Sequence, residues 1–274
     1  MSETQDGPAG HLSAAIAAFR RRAWEAADAG SERDVRKARV AARRLRAILR
    51  LATSPELDAV RVEITDLAGV LGGLRDLDVQ LAALEHERAG ATAPLRQRAL
   101  AAVSEVLARE RGVARQALAA LTGEPRFRRL ATSLDELAET LPPLETRSPS
   151  GLRRQLARRS LRVAELGDAI GAASTAERYH ALRIAVKRLR YTLEVLEPDP
   201  DRLSELRALQ ALLGDHQDAC VAEVRLREIA RTAQLEAPLA AEIERMAGER
   251  AAAADALRAE FPEIYRPVRG RATG

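Results

Sequence analysis

The sequence has few aromatic residues and a single cysteine, and each shortage excludes a class of protein. Aromatic residues make up only 3% of the 274 residues, so a core must be built from leucine, alanine and valine, as in helical bundles. Cys220 is the only cysteine, which excludes an internal disulfide and a cysteine-based zinc site. The shortage of aromatics also argues against single-stranded nucleic-acid binding, because that binding relies on base stacking.

Long apolar runs are also missing. No stretch approaches the roughly 20 consecutive apolar residues of a membrane-spanning helix. The first residues, MSETQDGPAG, have neither the basic start nor the apolar run of a signal peptide. We therefore expect a cytoplasmic protein with no membrane partner.

Charge, in contrast, is abundant and nearly balanced. The 44 Lys and Arg residues face 40 Asp and Glu residues, so the net charge is only +4. Hydrophobic residues make up 46% of the chain and charged residues 31%, which is typical of a globular protein. The placement of the basic residues is therefore more informative than their number.

Two stretches share a pattern of basic and apolar residues. They read ERDVRKARVAARRLRAILRLA at Glu32–Ala52 and ERYHALRIAVKRLRYTLEVL at Glu177–Leu196. Apolar residues recur at three- and four-residue steps and neither Gly nor Pro interrupts them, which predicts two helices. Each helix is preceded by a serine that forms a plausible capping box, Ser31 with Asp34 and Ser174 with Glu177.

Basic residues align on one face of each predicted helix, beside the apolar face. The first stripe consists of Arg36, Arg39, Arg43, Arg46 and Arg50. The second stripe consists of His180, Arg183, Lys187 and Arg190. Like charges at these spacings oppose helix formation by roughly 0.2–0.5 kcal/mol per pair, so the stripes do not serve helix stability. Helices that lead into the stripes add a second group of candidates, Arg20, Arg21, Arg153, Arg154 and Arg158.

A second pair of matching segments follows the stripes, LAGVLGGLRDLDV and LQALLGDHQDACV. Together with the stripes, the pair indicates an internal duplication with a period of about 143 residues. No period-two run of β-branched residues predicts a strand, so we expect an all-α protein of two four-helix-type bundles. The expected parts are a disordered leader at 1–10, a first helical half at 11–141, a linker at 142–150, a second helical half at 151–260 and a basic tail at 261–274.

The matching segments carry glycines and aspartates for which we predict structural roles. Gly72 and Gly73 cost a helix about 1 kcal/mol each relative to alanine, so we expect them to admit a neighbouring helix or to mark a bend. Asp76 and Asp218 are predicted to be buried carboxylates that pair with a stripe arginine and hold its rotamer.

The stripes resemble the paired signatures of the CHAD domain, the conserved histidine α-helical domain, whose members bind inorganic polyphosphate. The resemblance rests on HALRIAVKRLRYTLE, RVAARRLRAILR and the downstream pair, and it extends over nearly the whole chain. It implies two pseudosymmetric bundles whose basic faces turn toward a shared groove or pore and bind polyphosphate. Because no metal cluster or activated nucleophile is visible, we expect binding without turnover. Arg36 stands where the family usually has a histidine, so no role that needs an imidazole in both halves is expected.

Other interpretations stay open at this point. The stripes could be solvated faces that acids on neighbouring helices neutralise, and His180 could be a structural histidine. A metal-dependent phosphohydrolase would draw on His180 and on His216 with Asp215 or Asp218. However, no carboxylate cluster or activated nucleophile is visible, so we expect no catalytic residue, no metal and no cofactor.

The last alternative is a helical nucleic-acid-binding protein. No helix-turn-helix or other duplex-reading motif stands out, which makes nucleic acid the weaker candidate partner. Nucleic acid and polyphosphate are both polyanions, however, and residue patterns do not fully separate them. Association with polyphosphate granules is also left open.

Overall fold

The structure is a computed structural model that describes residues 8–28, 31–49, 55–140, 149–171, 173–196 and 199–271. Within these residues every regular element is an α-helix, which confirms the predicted fold class. None of these helices combines the length and apolarity that a membrane crossing requires. The helices are α1 (Pro8–Asp28), α2 (Glu32–Leu49), α3 (Pro55–Gly90), α4 (Pro94–Gly123), α5 (Pro125–Thr140), α6 (Pro149–Asp168), α7 (Ala176–Leu196), α8 (Pro200–Thr232) and α9 (Ala237–Gly270).

The chain divides into two compact units, Met1–Thr146 and Arg147–Gly274. The first unit contains α1 to α5 and the second contains α6 to α9. In the first unit α2 packs between α1 and α3, and α3 pairs with α4. In the second unit α7 packs between α6 and α8, and α8 pairs with α9 along much of its length.

Two helices begin inside segments that we predicted to be irregular. α1 begins at Pro8 within the predicted leader, and α6 begins at Pro149 within the predicted linker. Proline suits the first helical turn, because it lacks an N–H that would have no partner there and its φ is already helical. The other residues of these two predictions, 1–7 and 142–148, lie outside the described residues.

The prediction of a tail is wrong for residues 261–270, because they belong to α9. Phe261, Tyr265 and Val268 recur at helical spacing and are buried in the core of the second unit. Pro262 and Pro267 lie inside the helix, although proline usually ends one. Burial of this apolar face therefore outweighs the local cost of two prolines.

The apolar face predicted for α2 lies in the core of the first unit. Val35, Ala38, Ala42 and Leu45 are fully buried there, together with Phe19 of α1. In the second unit the corresponding face of α7 is buried against leucines of α8 and the aromatic residues of α9. Each stripe is thus held on a helix whose adjoining apolar face is anchored in a core.

The predicted role of Gly72 and Gly73 in close helix approach is wrong, since no other helix of the described part of the chain comes within 4 Å of where their Cβ atoms would be. The close approach occurs instead at Gly167 near the end of α6. A Cβ atom at Gly167 would overlap the ring of Tyr265 from α9. The Tyr265 hydroxyl bonds to the Ala164 carbonyl at 3.0 Å and to Asp168 at 2.9 Å, which fixes the ring over this glycine.

The predicted pairing of Ser31 with Asp34 at the start of α2 is present, and both of its side-chain bonds involve the Ser31 hydroxyl. The Asp34 N–H donates to the Ser31 hydroxyl at 3.2 Å, and that hydroxyl donates to the Asp34 carboxylate. At α7 the cap is displaced by one residue from the predicted Ser174. Thr175 bonds to the Glu177 carboxylate and lowers its pKa, whereas the Ser174 hydroxyl accepts from the Gly171 N–H at 2.9 Å.

Candidate functional site

The first stripe projects from the side of α2 that is not buried. Arg36 and Arg43 are exposed, and Arg46 is partly exposed. Within the described part of the chain, none of these three guanidinium groups has a hydrogen bond or an ion pair. Arg50, the last predicted member, lies outside the described residues. The stripe is therefore a row of cations that neighbouring helices leave unneutralised at three positions.

Among the described members of the first stripe, Arg39 has an acidic partner. Its Nη1 lies 3.3 Å from Oδ1 of Asp76 on α3, as the sequence predicted, but the Asp76 side chain is 68% exposed rather than buried. The buried carboxylate is Asp78, which is 3% exposed and pairs with Arg111 of α4. An exposed ion pair contributes little to stability, so Arg39 can exchange Asp76 for another anion at little cost.

The second stripe lies along the seam between α7 and α8, where it meets amide side chains. Nδ1 of His180 lies 3.0 Å from Oε1 of Gln217. Nε of Arg190 donates to Oε1 of Gln210 at 2.9 Å, and the same guanidinium pairs with Glu194 on its own helix. Two members of this stripe are thus positioned by neutral acceptors from α8.

Arg183 packs against the backbone of α8 at Gly214. Its Nε lies 3.7 Å from where a Cβ atom of Gly214 would be, so the glycine leaves room for the guanidinium. This Nε is buried and has no hydrogen-bond partner among the described residues. A buried donor without an acceptor costs free energy, so this arrangement of Arg183 is not explained by packing stability alone. Lys187, one turn further along α7, is partly exposed.

The second group of candidates contains one arginine with an acidic partner and four exposed arginines. Arg20 is engaged with Asp135 of α5, whereas Arg21 is exposed on α1. Arg153, Arg154 and Arg158 are all exposed on α6.

Sequence reasoning missed several residues near the stripes. Arg44 and Arg188, one residue beyond a stripe position, are exposed as well. Their helical spacing was a signal that could have found them. Gln210 and Gln217 had no such signal, because a neutral amide becomes part of a site only through the helix that it faces.

His216 occupies a different environment from His180. It is fully buried, stacks on Tyr179 with ring centroids 4.3 Å apart, and accepts a hydrogen bond at Nε2 from Nε of Arg258 at 3.1 Å. Burial lowers the pKa of His216, and the nearby Arg258 charge lowers it further. Cys220 Sγ lies 3.7 Å from Nε2. The imidazole is therefore a neutral part of the α8–α9 packing.

The alternative metal site is not assembled by this packing. Asp215 and Asp218 are exposed, whereas His216 faces Arg258 in the interior. In the part of the chain that the structure describes, no group of three or more His, Cys, Asp and Glu side chains is placed to hold a metal ion.

Comparison with known families shows which protein family this chain belongs to. Residues 11–227 match the family model of the CHAD domain. The chain belongs to the CHAD domain family. The match includes both stripes of this CHAD domain and ends inside α8, so Arg258 and Tyr265 of α9 lie beyond it.

Solved structures support the assignment at the level of the fold. The CHAD domain from the plant Ricinus communis superposes with a TM-score of 0.68 at 25% identity, covering 95% of this chain and 89% of that one. PptA from Streptomyces chartreusis superposes with a TM-score of 0.75 at 21% identity, covering 97% of this chain and all of that one. No curated protein matches the chain.

Proposed function

We propose that this CHAD domain binds inorganic polyphosphate through its two basic stripes, without turning it over. The observation that carries the proposal is the row of Arg36, Arg43 and Arg46, which has no anionic partner among the described residues. Arginine suits this ligand because its planar fork donates two parallel hydrogen bonds to phosphate and stays charged.

The length of the first stripe favours a polymer over a single phosphate. Arg36 and Arg46 are ten residues apart on α2, which corresponds to about 15 Å along the helix axis. A row of cations over that distance matches an extended chain of phosphate groups. One phosphate would neutralise only one or two of the arginines.

The second stripe supports the same ligand by a different route. Arg183 is partly exposed, and His180 beside it is exposed. Phosphate oxygens are acceptors for the N–H groups of both side chains. Since both stripes belong to one chain, a long polyphosphate that has bound one stripe meets the other at high effective concentration. Affinity should therefore rise with polyphosphate length.

Absence of turnover is the second part of the proposal. The candidate residues of a hydrolase do not converge, because His216 is enclosed by Tyr179 and Arg258 while Asp218 is exposed. Hydrolysis of a phosphoanhydride needs a metal cluster or an activated nucleophile beside a base. Steady phosphate release from polyphosphate or nucleoside triphosphates with magnesium, manganese or zinc, lost in His216→Ala or Asp218→Ala, would favour the phosphohydrolase instead.

A competition titration tests the binding proposal. Long polyphosphate, duplex DNA, RNA and heparin compete at physiological salt, and we expect polyphosphate to bind most tightly. Affinity should fall steeply as salt rises, because each neutralised phosphate releases condensed counterions. Equal or tighter binding of DNA or RNA would contradict the proposal and favour the nucleic-acid alternative.

A further inference from the structure

In the structure the Gln217 side chain turns its amide oxygen toward one imidazole nitrogen of His180. The side-chain oxygen of Gln217 lies 3.0 Å from Nδ1 of His180. An amide oxygen only accepts hydrogen bonds, so Nδ1 must be the donor in this contact. In the neutral ring the single proton is therefore on Nδ1, and Nε2 is left with a lone pair.

That lone pair is unsuited to a phosphate ligand. His180 is exposed, and its Nε2 has no hydrogen-bond partner among the described residues. A phosphate oxygen and an unprotonated Nε2 are both acceptors, so they repel each other at hydrogen-bond distance. The doubly protonated ring, in contrast, donates from Nδ1 to Gln217 and from Nε2 to a phosphate.

The charged groups around His180 are arranged along α7 and on the helices packed against it. On α7, Glu177 lies one turn before His180 and is bonded to Thr175, and the cationic Arg183 lies one turn after it. On α8, the exposed Asp218 follows Gln217.

At the end of α6, Asp168 is held by Tyr265 and Arg269 of α9. None of these acids accepts a hydrogen bond from His180. A bound polyanion would therefore be the new negative charge that favours the imidazolium.

We propose that Gln217 is a positioning residue that keeps the His180 proton on Nδ1, so that polyphosphate binding takes up a solvent proton at Nε2. This inference rests on the proposed function and adds a proton to the binding equilibrium. The affinity for polyphosphate then rises as the pH falls, by up to about tenfold per pH unit for one linked proton. Histidine is suited to such coupling because it changes charge between pH 5 and 8.

Calorimetry of the full chain tests the coupling directly. Titrations with long polyphosphate in buffers of different ionisation enthalpy, from pH 5.5 to 8.5, measure the number of protons taken up on binding. In the wild type we expect uptake of up to one proton, whereas His180→Gln should lose it. His86→Gln is the matched control, because His86 is exposed on α3 outside both stripes, and it should behave as the wild type.

Gln217→Met separates positioning from a general structural role. Without the amide oxygen the neutral ring can carry its proton on Nε2 and donate to phosphate without taking up a second one. We therefore expect reduced proton uptake and a flatter pH profile, with tighter binding than the wild type at pH 8.5. Circular dichroism of each variant confirms that the fold is retained.

The tautomer can also be measured without ligand. In imidazole-labelled protein at pH 8, nitrogen–proton correlation spectra should show the His180 proton on Nδ1 in the wild type and on Nε2 in Gln217→Met. If the wild type carries the proton on Nε2, or if His180→Gln leaves the proton uptake unchanged, this inference is overturned. The proposed function is not affected by either result. A complete lack of polyphosphate binding would overturn the proposed function and this inference with it.

Discussion

α2 and α7 carry basic stripes of similar sequence, but the two stripes have different surroundings. On α2, Arg36 and Arg43 extend into solvent without a partner among the described residues. On α7, His180 and Arg190 are bonded to glutamines of α8, and Arg183 lies against Gly214. The first stripe is thus suited to long-range attraction of an anion, whereas the second holds its donors in defined positions.

The segments that follow the stripes differ in the same way. At aligned positions the first unit buries Leu74 where the second buries His216, and it buries Asp78 where the second buries Cys220. In each unit an arginine from the next helix reaches this place, Arg111 to Asp78 and Arg258 to His216. Similar helical patterns therefore accommodate different polar groups, provided that the facing helix supplies a partner.

Charge reversal in the first stripe should have the largest effect on polyphosphate affinity, and it tests the proposed role of that stripe. Arg36→Glu with Arg43→Glu should weaken polyphosphate binding on the order of 100-fold at low salt, because two charge-assisted contacts become repulsive. Fluorescence titration over a salt series measures the loss, and the slope against salt should become shallower.

The matched control for that pair is Arg129→Glu with Arg266→Glu, which makes the same change in net charge at exposed positions outside both stripes. We expect this control to lose much less affinity. The charge-reversed pair Arg183→Glu with Lys187→Glu should weaken binding too, after helicity and melting are shown to be intact. Equal losses in all three variants would mean that net charge, and not the stripes, governs binding.

Glycine-to-alanine variants should change the stability of the two units in opposite directions. Gly167→Ala should lower the free energy of unfolding by about 1–3 kcal/mol, because the added methyl group overlaps the Tyr265 ring. Gly73→Ala has open space around it and should raise stability by about 0.5–1 kcal/mol through helix propensity. Urea denaturation measures both, and a stable Gly167→Ala protein would contradict the close approach of α6 and α9.

The buried histidine should make the second unit sensitive to acid. The pKa of His216 is lowered in the folded protein, so below about pH 6.5 the unfolded chain binds a proton that the folded protein does not. The free energy of unfolding should therefore fall as the pH drops, by up to about 1.4 kcal/mol per pH unit, until the folded-state pKa is passed. Denaturation from pH 7.5 to 5.5 measures this slope.

His216→Leu, which introduces the residue found at the aligned position of the first unit, should remove that part of the slope. His86→Leu should leave it unchanged, because His86 is exposed. An unchanged slope in His216→Leu would show that other groups cause the acid sensitivity.

The smallest expected effect concerns Asp76, the acid that pairs with the first stripe among the described residues. Asp76→Asn should release Arg39 and strengthen polyphosphate binding a few-fold, with little change in melting temperature because the ion pair is exposed. Asp58→Asn, which disrupts another exposed pair with an arginine of α3, is the control and should not affect affinity. Weaker binding in Asp76→Asn would show that Asp76 holds Arg39 in its binding position.

Several features of the site were predictable because they depend on helical period alone. The basic residues of both stripes lie on α2 and α7, and the apolar faces of these helices are buried as predicted. The cap at Ser31 was predictable from local sequence too, since its partner Asp34 is only three residues away. The continuation of α9 past Pro262 was not, because the local rule for proline competes with burial of Phe261 and Tyr265.

The sequence by itself determined the all-α fold class and the two basic stripes, because both follow from the spacing of residues along individual helices. The CHAD family was predicted from the resemblance of the sequence motifs to that family, and the match over residues 11–227 confirmed it. Only the tertiary structure decided which arginines have a side-chain partner and which extend into solvent without one. A side chain's partner lies on another helix, and its choice depends on how the two helices pack. Gln217 beside His180 and Arg258 beside His216 are the clearest cases, since each partner is more than 30 residues away in sequence.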